Sequence, residues 1–262
     1  MRTVVSLLVI VAVTYLGLCA WVYSTQRAQI YFPTPKTDRP DARVVWVESQ
    51  RARLKIWEVP RAGSRALIYF GGNAEDVAGN IAEFSAAFPE HSLYLVNYRG
   101  YGGSSGQPSE NAFFTDALAV CDLVRAQHPD VTVMGRSLGS GVAVYVASKR
   151  PVDKLVLVTA FDSLVNVARA HFRFLPIGWL MPDRYESASR APAVKAAVLV
   201  VVAGEDEIIP RARSEALATA FAPGQVRVEV VPGVGHNTLD FSPEYLGSVR
   251  GFLMESSDGW PM

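Results

Sequence analysis

The sequence predicts an α/β fold: a mostly parallel, eight-stranded sheet with helices on both faces, behind an apolar N-terminal segment. Three observations predict it. Eight short runs rich in Val, Ile, Leu and aromatic residues recur along the chain, most of them separated by stretches of helix length. Such alternation builds parallel sheets buried on both sides. One run leads directly into Gly135-Arg136-Ser137-Leu138-Gly139 and then into a helix pattern, the strand–turn–helix context of a nucleophile elbow. Finally, 262 residues, 50% of them hydrophobic, suit one such domain plus a short extension.

Residues 4–23 contain no charge, and only Ser6 and Thr14 interrupt the aliphatic and aromatic run with simple hydroxyls. As a helix this stretch spans about 30 Å, the hydrocarbon thickness of a bilayer. Tyr15, Trp21 and Tyr23 gather toward its far end, as interfacial aromatics do. A single-pass anchor over residues 1–25 is expected; a cleaved signal peptide and a buried core helix are the competing readings. The run exceeds a usual signal core and no A-x-A site closes it. Arg2 precedes the run and Arg27, Lys36, Arg39 and Arg43 follow it, so the charge rule leaves orientation open. In a bacterial inner membrane with the N-terminus inside, the domain would face the periplasm.

Residues 26–43 form a linker in which Pro33, Pro35 and Pro40 exclude regular helix. The folded domain is expected to occupy 44–262. Residues 44–47 and 54–59 read as a short antiparallel pair, and 66–70 as a buried strand ending in Gly71-Gly72-Asn73. A helix is expected over 74–88 and a strand over 92–97. The loop at 98–106 carries four glycines but matches neither phosphate-loop spacing. Ser109 caps a helix reaching about residue 127. Beyond the elbow, strands at 154–158, 197–203 and 226–231 alternate with helices at 164 onward, 211–221 and 243–254, while 173–192 reads as irregular.

Lys+Arg and Asp+Glu both number 25; without a basic excess, nucleic acid is not an expected partner. Cys19 and Cys121 offer neither a disulfide framework nor metal-ligand spacing, and no cofactor is expected.

A serine hydroxyl needs a base to become a nucleophile. Of the four histidines, His236 lies between glycine and asparagine just past the last strand, at the sheet edge where the elbow opens. His91, His128 and His171 are assigned to surface or packing. The acid that orients the base is expected in the loop after strand 197–203, where Glu205, Asp206 and Glu207 are consecutive; Asp206 is the choice. Asp240 is the rival, expected to face solvent. Two backbone N–H donors for an oxyanion are expected from Leu138 and from the loop at Asn73.

These motifs together resemble the α/β-hydrolase superfamily and, within it, the Bem46-like branch. The resemblance is carried by Phe70-Gly71-Gly72-Asn73-Ala74, the run from Asn97 to Gly106, Gly135 to Gly139, Asp162-Ser163-Leu164, Asp206 to Pro210 and Gly235-His236-Asn237. It covers the chain from about residue 27 onward. Gly71 replaces the histidine usual in the first of these loops. The resemblance implies cofactor-free serine hydrolysis of an ester, thioester or amide. The expected protein is therefore a membrane-anchored serine hydrolase acting on a small-molecule or lipid-like ester. A peptidase or amidase on the same triad and a catalytically silent membrane scaffold are the alternatives; oligomeric state is left open. In the short cap between Phe161 and Ser189, residues Phe172, Phe174, Leu175, Ile177, Trp179, Leu180 and Met181 are expected to form an apolar wall above Ser137. Phe174 and Trp179 would then select long acyl chains.

Overall fold

A computed structural model of the chain describes residues 1–39 and 42–255. Pro40 of the predicted linker and residues 256–262 of the predicted domain lie outside them. The elements run α1 (Arg2–Ile30), β1 (Arg43–Ser49), β2 (Ala52–Val59), β3 (Arg65–Phe70), α2 (Ile81–Ala87), β4 (Ser92–Val96), α3 (Glu110–Arg125), β5 (Asp130–Arg136), α4 (Leu138–Lys149), β6 (Lys154–Val158), α5 (Leu164–His171), α6 (Ile177–Leu180), α7 (Ser187–Arg190), β7 (Ala197–Ala203), α8 (Arg211–Ala218), β8 (Val226–Val231) and α9 (Pro243–Met254).

The eight strands form one sheet in the order β1-β2-β4-β3-β5-β6-β7-β8. β2 is antiparallel to β1 and β4, and every other pair is parallel. The period of two along the strands divides the core. Ala66, Ile68 and Phe70 of β3 join Val131, Val133, Leu155, Leu157, Val198 and Val200 against α3 and α4. Leu67 and Tyr69 join Met134, Val156, Leu199 and Val201 against α2 and α9, where Phe84, Phe88, Val249 and Phe252 are buried. Burial on both faces explains why these strands are apolar throughout instead of alternating with polar residues.

Three elements differ from expectation. The helix expected over 74–88 starts late: a 3-10 turn covers Val77–Asn80 before α2. Ala74 has φ 60°, and the Asp76 side chain accepts from the Ala78 N–H to cap the turn, so the chain turns before it can coil. The irregular stretch 173–192 contains the one-turn helices α6 and α7. α1 continues through Ile30, past the expected end of the anchor, because the first proline is Pro33. Its last turn docks: Gln26 is buried and Arg27 Nε lies 3.1 Å from Asp183 Oδ2. The following Tyr31 donates to Asp183 or meets the Tyr185 hydroxyl at 3.0 Å and packs edge-on against Phe113. Residues 4–18 are all exposed, Tyr15 and Leu18 least among the large side chains. By length and composition α1 is a candidate membrane span.

Candidate active site

β5 ends in the tight turn at Ser137, which has φ 49° and ψ −117°. A non-glycine residue seldom adopts positive φ unless its surroundings impose it. Here they do: the Ser137 N–H donates to Val158 O at the end of β6 (2.9 Å), and Ser137 O accepts from the Ser140 hydroxyl at 2.6 Å. The flanking glycines are required by contact. A Cβ on Gly135 would stand 2.3 Å from Gly139 O, and one on Gly139 only 2.0 Å from Phe70 O.

Loops after β5, β7 and β8 meet at this edge of the sheet. His236 Nε2 is 3.0 Å from Ser137 Oγ. On the opposite side of the imidazole, Nδ1 is 2.8 Å and 3.0 Å from the two Asp206 carboxylate oxygens. Asp206 Oδ1 also accepts the N–H groups of Ile208 and Ile209 at 2.9 and 2.7 Å, which fixes the carboxylate. The histidine backbone is clamped as well: its N–H donates to Glu207 Oε2 at 3.1 Å, and its carbonyl accepts from Arg136 Nη2 at 3.0 Å. Of the three consecutive acids, Asp206 meets the ring, Glu207 meets the backbone, and Glu205 is exposed.

Asn73 and Leu138 both line the cavity above Ser137. Neither backbone N–H donates to another group among the described residues. The Asn73 side chain holds its loop: Nδ2 donates to Ile30 O (2.6 Å), and Oδ1 accepts from Phe32 N–H and Tyr101 OH (3.0 and 2.9 Å). At Gly71 a Cβ would meet Val77 Cγ1 at 2.6 Å, and Gly71 O accepts from Tyr98 OH at 2.8 Å. The loop is thus closed by packing and by Tyr98 without a histidine.

Asp240 does not simply face solvent. It forms an ion pair with Arg136 (3.2 Å), which also pairs with Glu75 (3.2 Å). Burial would lower the Arg136 pKa, but Tyr69, Glu75 and Asp240 outweigh it and hold the guanidinium firmly protonated. Burial raises the Asp240 carboxyl, and Arg136 opposes that rise. This cluster under His236 escaped the sequence reading. Its one signal was an arginine at the end of a largely apolar, buried strand, a charge that must find partners when buried. His91 is buried, and His128 Nε2 meets Tyr94 OH at 3.0 Å. His171, 2.9 Å from Ile208 O through Nε2, lies on the cavity wall.

The cavity over Ser137 has a volume of about 530 Å³, within the usual range of small-molecule sites. Phe172, Leu175, Ile177 and Met181 of the cap line it, as do Leu18, Trp21, Val22 and Ile30 of α1. Phe174 and Trp179 do not; they are 92% and 90% exposed. They stand on the outer side of the cap, so the expectation that they form the wall above Ser137 is corrected. The contribution of α1 to the wall was not foreseen.

A family model for the α/β hydrolase fold matches residues 65–180. The chain is 37% identical to Uncharacterized protein Rv2307c of Mycobacterium tuberculosis over 95% of its own length and 94% of that protein. It is 28% identical to Lysophosphatidylserine lipase ABHD12 of Macaca fascicularis over 81% of this chain, which spans 62% of the lipase. Among solved structures, the Pyrococcus furiosus esterase Pf2001 superposes with a TM-score of 0.67 at 15% identity, covering 85% of this chain and 98% of the esterase, a likeness of fold. Sheet order, strand–turn–helix at Ser137 and these similarities agree, and the chain belongs to the α/β-hydrolase family.

Proposed function

We propose that the protein is a membrane-anchored serine hydrolase that cleaves carboxylic esters or thioesters of acyl or lipid-like compounds. The observation that carries this reading is the continuous line from Ser137 Oγ through His236 to Asp206, with both contacts at hydrogen-bond distance. Ser137 Oγ attacks the acyl carbonyl while His236 Nε2 takes the hydroxyl proton. Asp206 holds the ring with Nδ1–H directed at its carboxylate and stabilises the imidazolium. The negative charge on the carbonyl oxygen falls to the N–H groups of Leu138 and Asn73. Collapse of the tetrahedral species breaks the bond to the leaving group, which receives the proton from His236, and leaves an acyl-serine. Water, deprotonated by His236, repeats the sequence to release the acid and restore the hydroxyl.

The apolar walls of the cavity support an acyl substrate, and the likeness to a lysophosphatidylserine lipase points the same way. The exposed apolar face of residues 4–18 supports the anchor. A fluorophosphonate probe tests the chemistry: the parent should be labelled and Ser137→Ala should not. Absence of label on a folded parent would sink the proposal. A series of p-nitrophenyl esters of graded length then tests the acyl cavity, with turnover expected to favour the longer chains.

A further inference from the structure

We propose that the cap of this protein is sunk in the same lipid leaflet as α1, and that the acyl chain of the substrate enters sideways from that leaflet, along α1, to reach Ser137. The inference rests on the serine-hydrolase reading above and adds where the substrate comes from and how it lies.

The cavity has one wall made by the anchor helix itself. Leu18, Trp21, Val22 and Ile30 line it together with Ser137 at its floor. From Leu18 to Ile30 the helix rises about 18 Å, so the cavity is a channel running from the reactive serine back along α1. An acyl chain with its carbonyl at Ser137 points toward Leu18, into the apolar stretch. The alcohol part is left at the other end, near Asn73 and Gln29.

The depth of the cap follows from one hydrogen bond. Tyr15 OH donates to the carbonyl of Phe174 at 2.8 Å. Tyr15 lies eight residues before Tyr23, about 12 Å along the helix toward the middle of the apolar run. If residues 4–23 lie in hydrocarbon, Phe174 must lie there too. The cap is suited to that position. Phe172, Phe174 and Trp179 are 56%, 92% and 90% exposed, whereas soluble surfaces seldom gather large apolar side chains so openly. No acidic residue occurs from 172 to 181. The one charge, exposed Arg173, has the stem length to reach phosphate headgroups from below. The occupant these features fit is a phospholipid leaflet.

The test uses the full chain in phosphatidylcholine vesicles. A nitroxide is attached at Trp179→Cys in a Cys19→Ala background, with buried Cys121 left in place; a reference nitroxide goes on exposed Arg51→Cys in the β1–β2 turn. At position 179, collisions with oxygen should rise and collisions with a water-soluble nickel chelate should fall several-fold relative to position 51. Equal chelate access at both positions overturns the proposal. Shielding of position 179 from both reagents also overturns it, because a protein partner then covers the cap. In parallel, Phe174→Ser/Trp179→Ser should hydrolyse dissolved p-nitrophenyl acetate like the parent but vesicle-borne p-nitrophenyl laurate about tenfold more slowly, through loss of the two exposed aromatic side chains that would enter the leaflet. Unchanged laurate turnover refutes the membrane-loaded cap. Failure of the parent on acetate would instead refute the hydrolase reading.

Discussion

Replacing Gly139 with alanine tests whether the close approach of α4 to the end of β3 sets the reactive geometry. The added methyl would stand 2.0 Å from Phe70 O and 2.6 Å from Gly71 O. Ordinary contact requires the methyl and the Phe70 carbonyl to separate by about 1.4 Å more. Both obstructing atoms are backbone, so no side-chain rotation relieves the clash. The retreat must be shared between the helix that begins at Leu138 and the loop that carries Asn73. Those are the two sources of the proposed oxyanion donors, and their spacing would open. A misplacement near 1 Å costs roughly 100-fold in rate, and loss of one oxyanion donor costs about 100- to 1000-fold. Overpacking should also remove about 1–3 kcal/mol of stability. The assay is kcat on a short p-nitrophenyl ester with a thermal melt on the same preparation. Gly251→Ala is the control: its Cβ meets nothing within 4 Å, and an exposed helical position should gain about 0.5–1 kcal/mol. If Gly139→Ala keeps parental kcat and melting temperature, the argument from backbone contact fails.

Further outcomes follow from the same contacts. Asp206→Asn should leave the fold intact and lower kcat by about 10⁴-fold, since an amide in that place favours the wrong imidazole tautomer; a loss under tenfold in the ester assay would remove Asp206 from the mechanism. Arg136→Met strips Glu75 and Asp240 of their shared cation and should cost about 3–5 kcal/mol; a melting drop below about 2 °C would show that the cluster contributes little. Burial pushes the Cys121 thiol up to about 11, so it stays neutral in the folded protein at pH 8 and iodoacetamide should reach it only on unfolding. Because the unfolded thiol ionises first, its contribution to stability is fully present below pH 9 and is lost as pH rises toward 11. A denaturant series across that range reads the slope; rising stability would contradict the assignment.

The sheet and the alignment of Ser137, His236 and Asp206 were legible because both are written in local signals. Apolar runs of strand length punctuated by helices fix the layers, and Gly135 and Gly139 announce a turn that no larger residue permits. His236 and Asp206 stood out because a parallel sheet sends every post-strand loop to one edge. Direction was not legible where periodicity was missing. Phe174 and Trp179 share a segment with Leu175 and Ile177, and without a helix or strand period nothing distinguishes the outward pair from the inward one. The Arg136–Glu75–Asp240 cluster joins residues far apart in the chain, and charge alone names no partner. Helix α1 looked self-contained because its apolarity accounts for a bilayer; that its last turns wall the cavity depends on docking contacts such as Arg27 with Asp183.

The side chain of Asn73 is bonded to Ile30 O at 2.6 Å and to the Phe32 N–H at 3.0 Å, the residues at which α1 gives way to the domain. A span longer than its bilayer relieves the mismatch by tilting. In the proposed membrane-anchored enzyme, tilt of α1 would displace Ile30 and, through two hydrogen bonds, the loop assigned to present the Asn73 N–H to the substrate. On the proposed function, bilayer thickness would thereby become a mechanical input to turnover, and the anchor a lever on the oxyanion site as well as a tether.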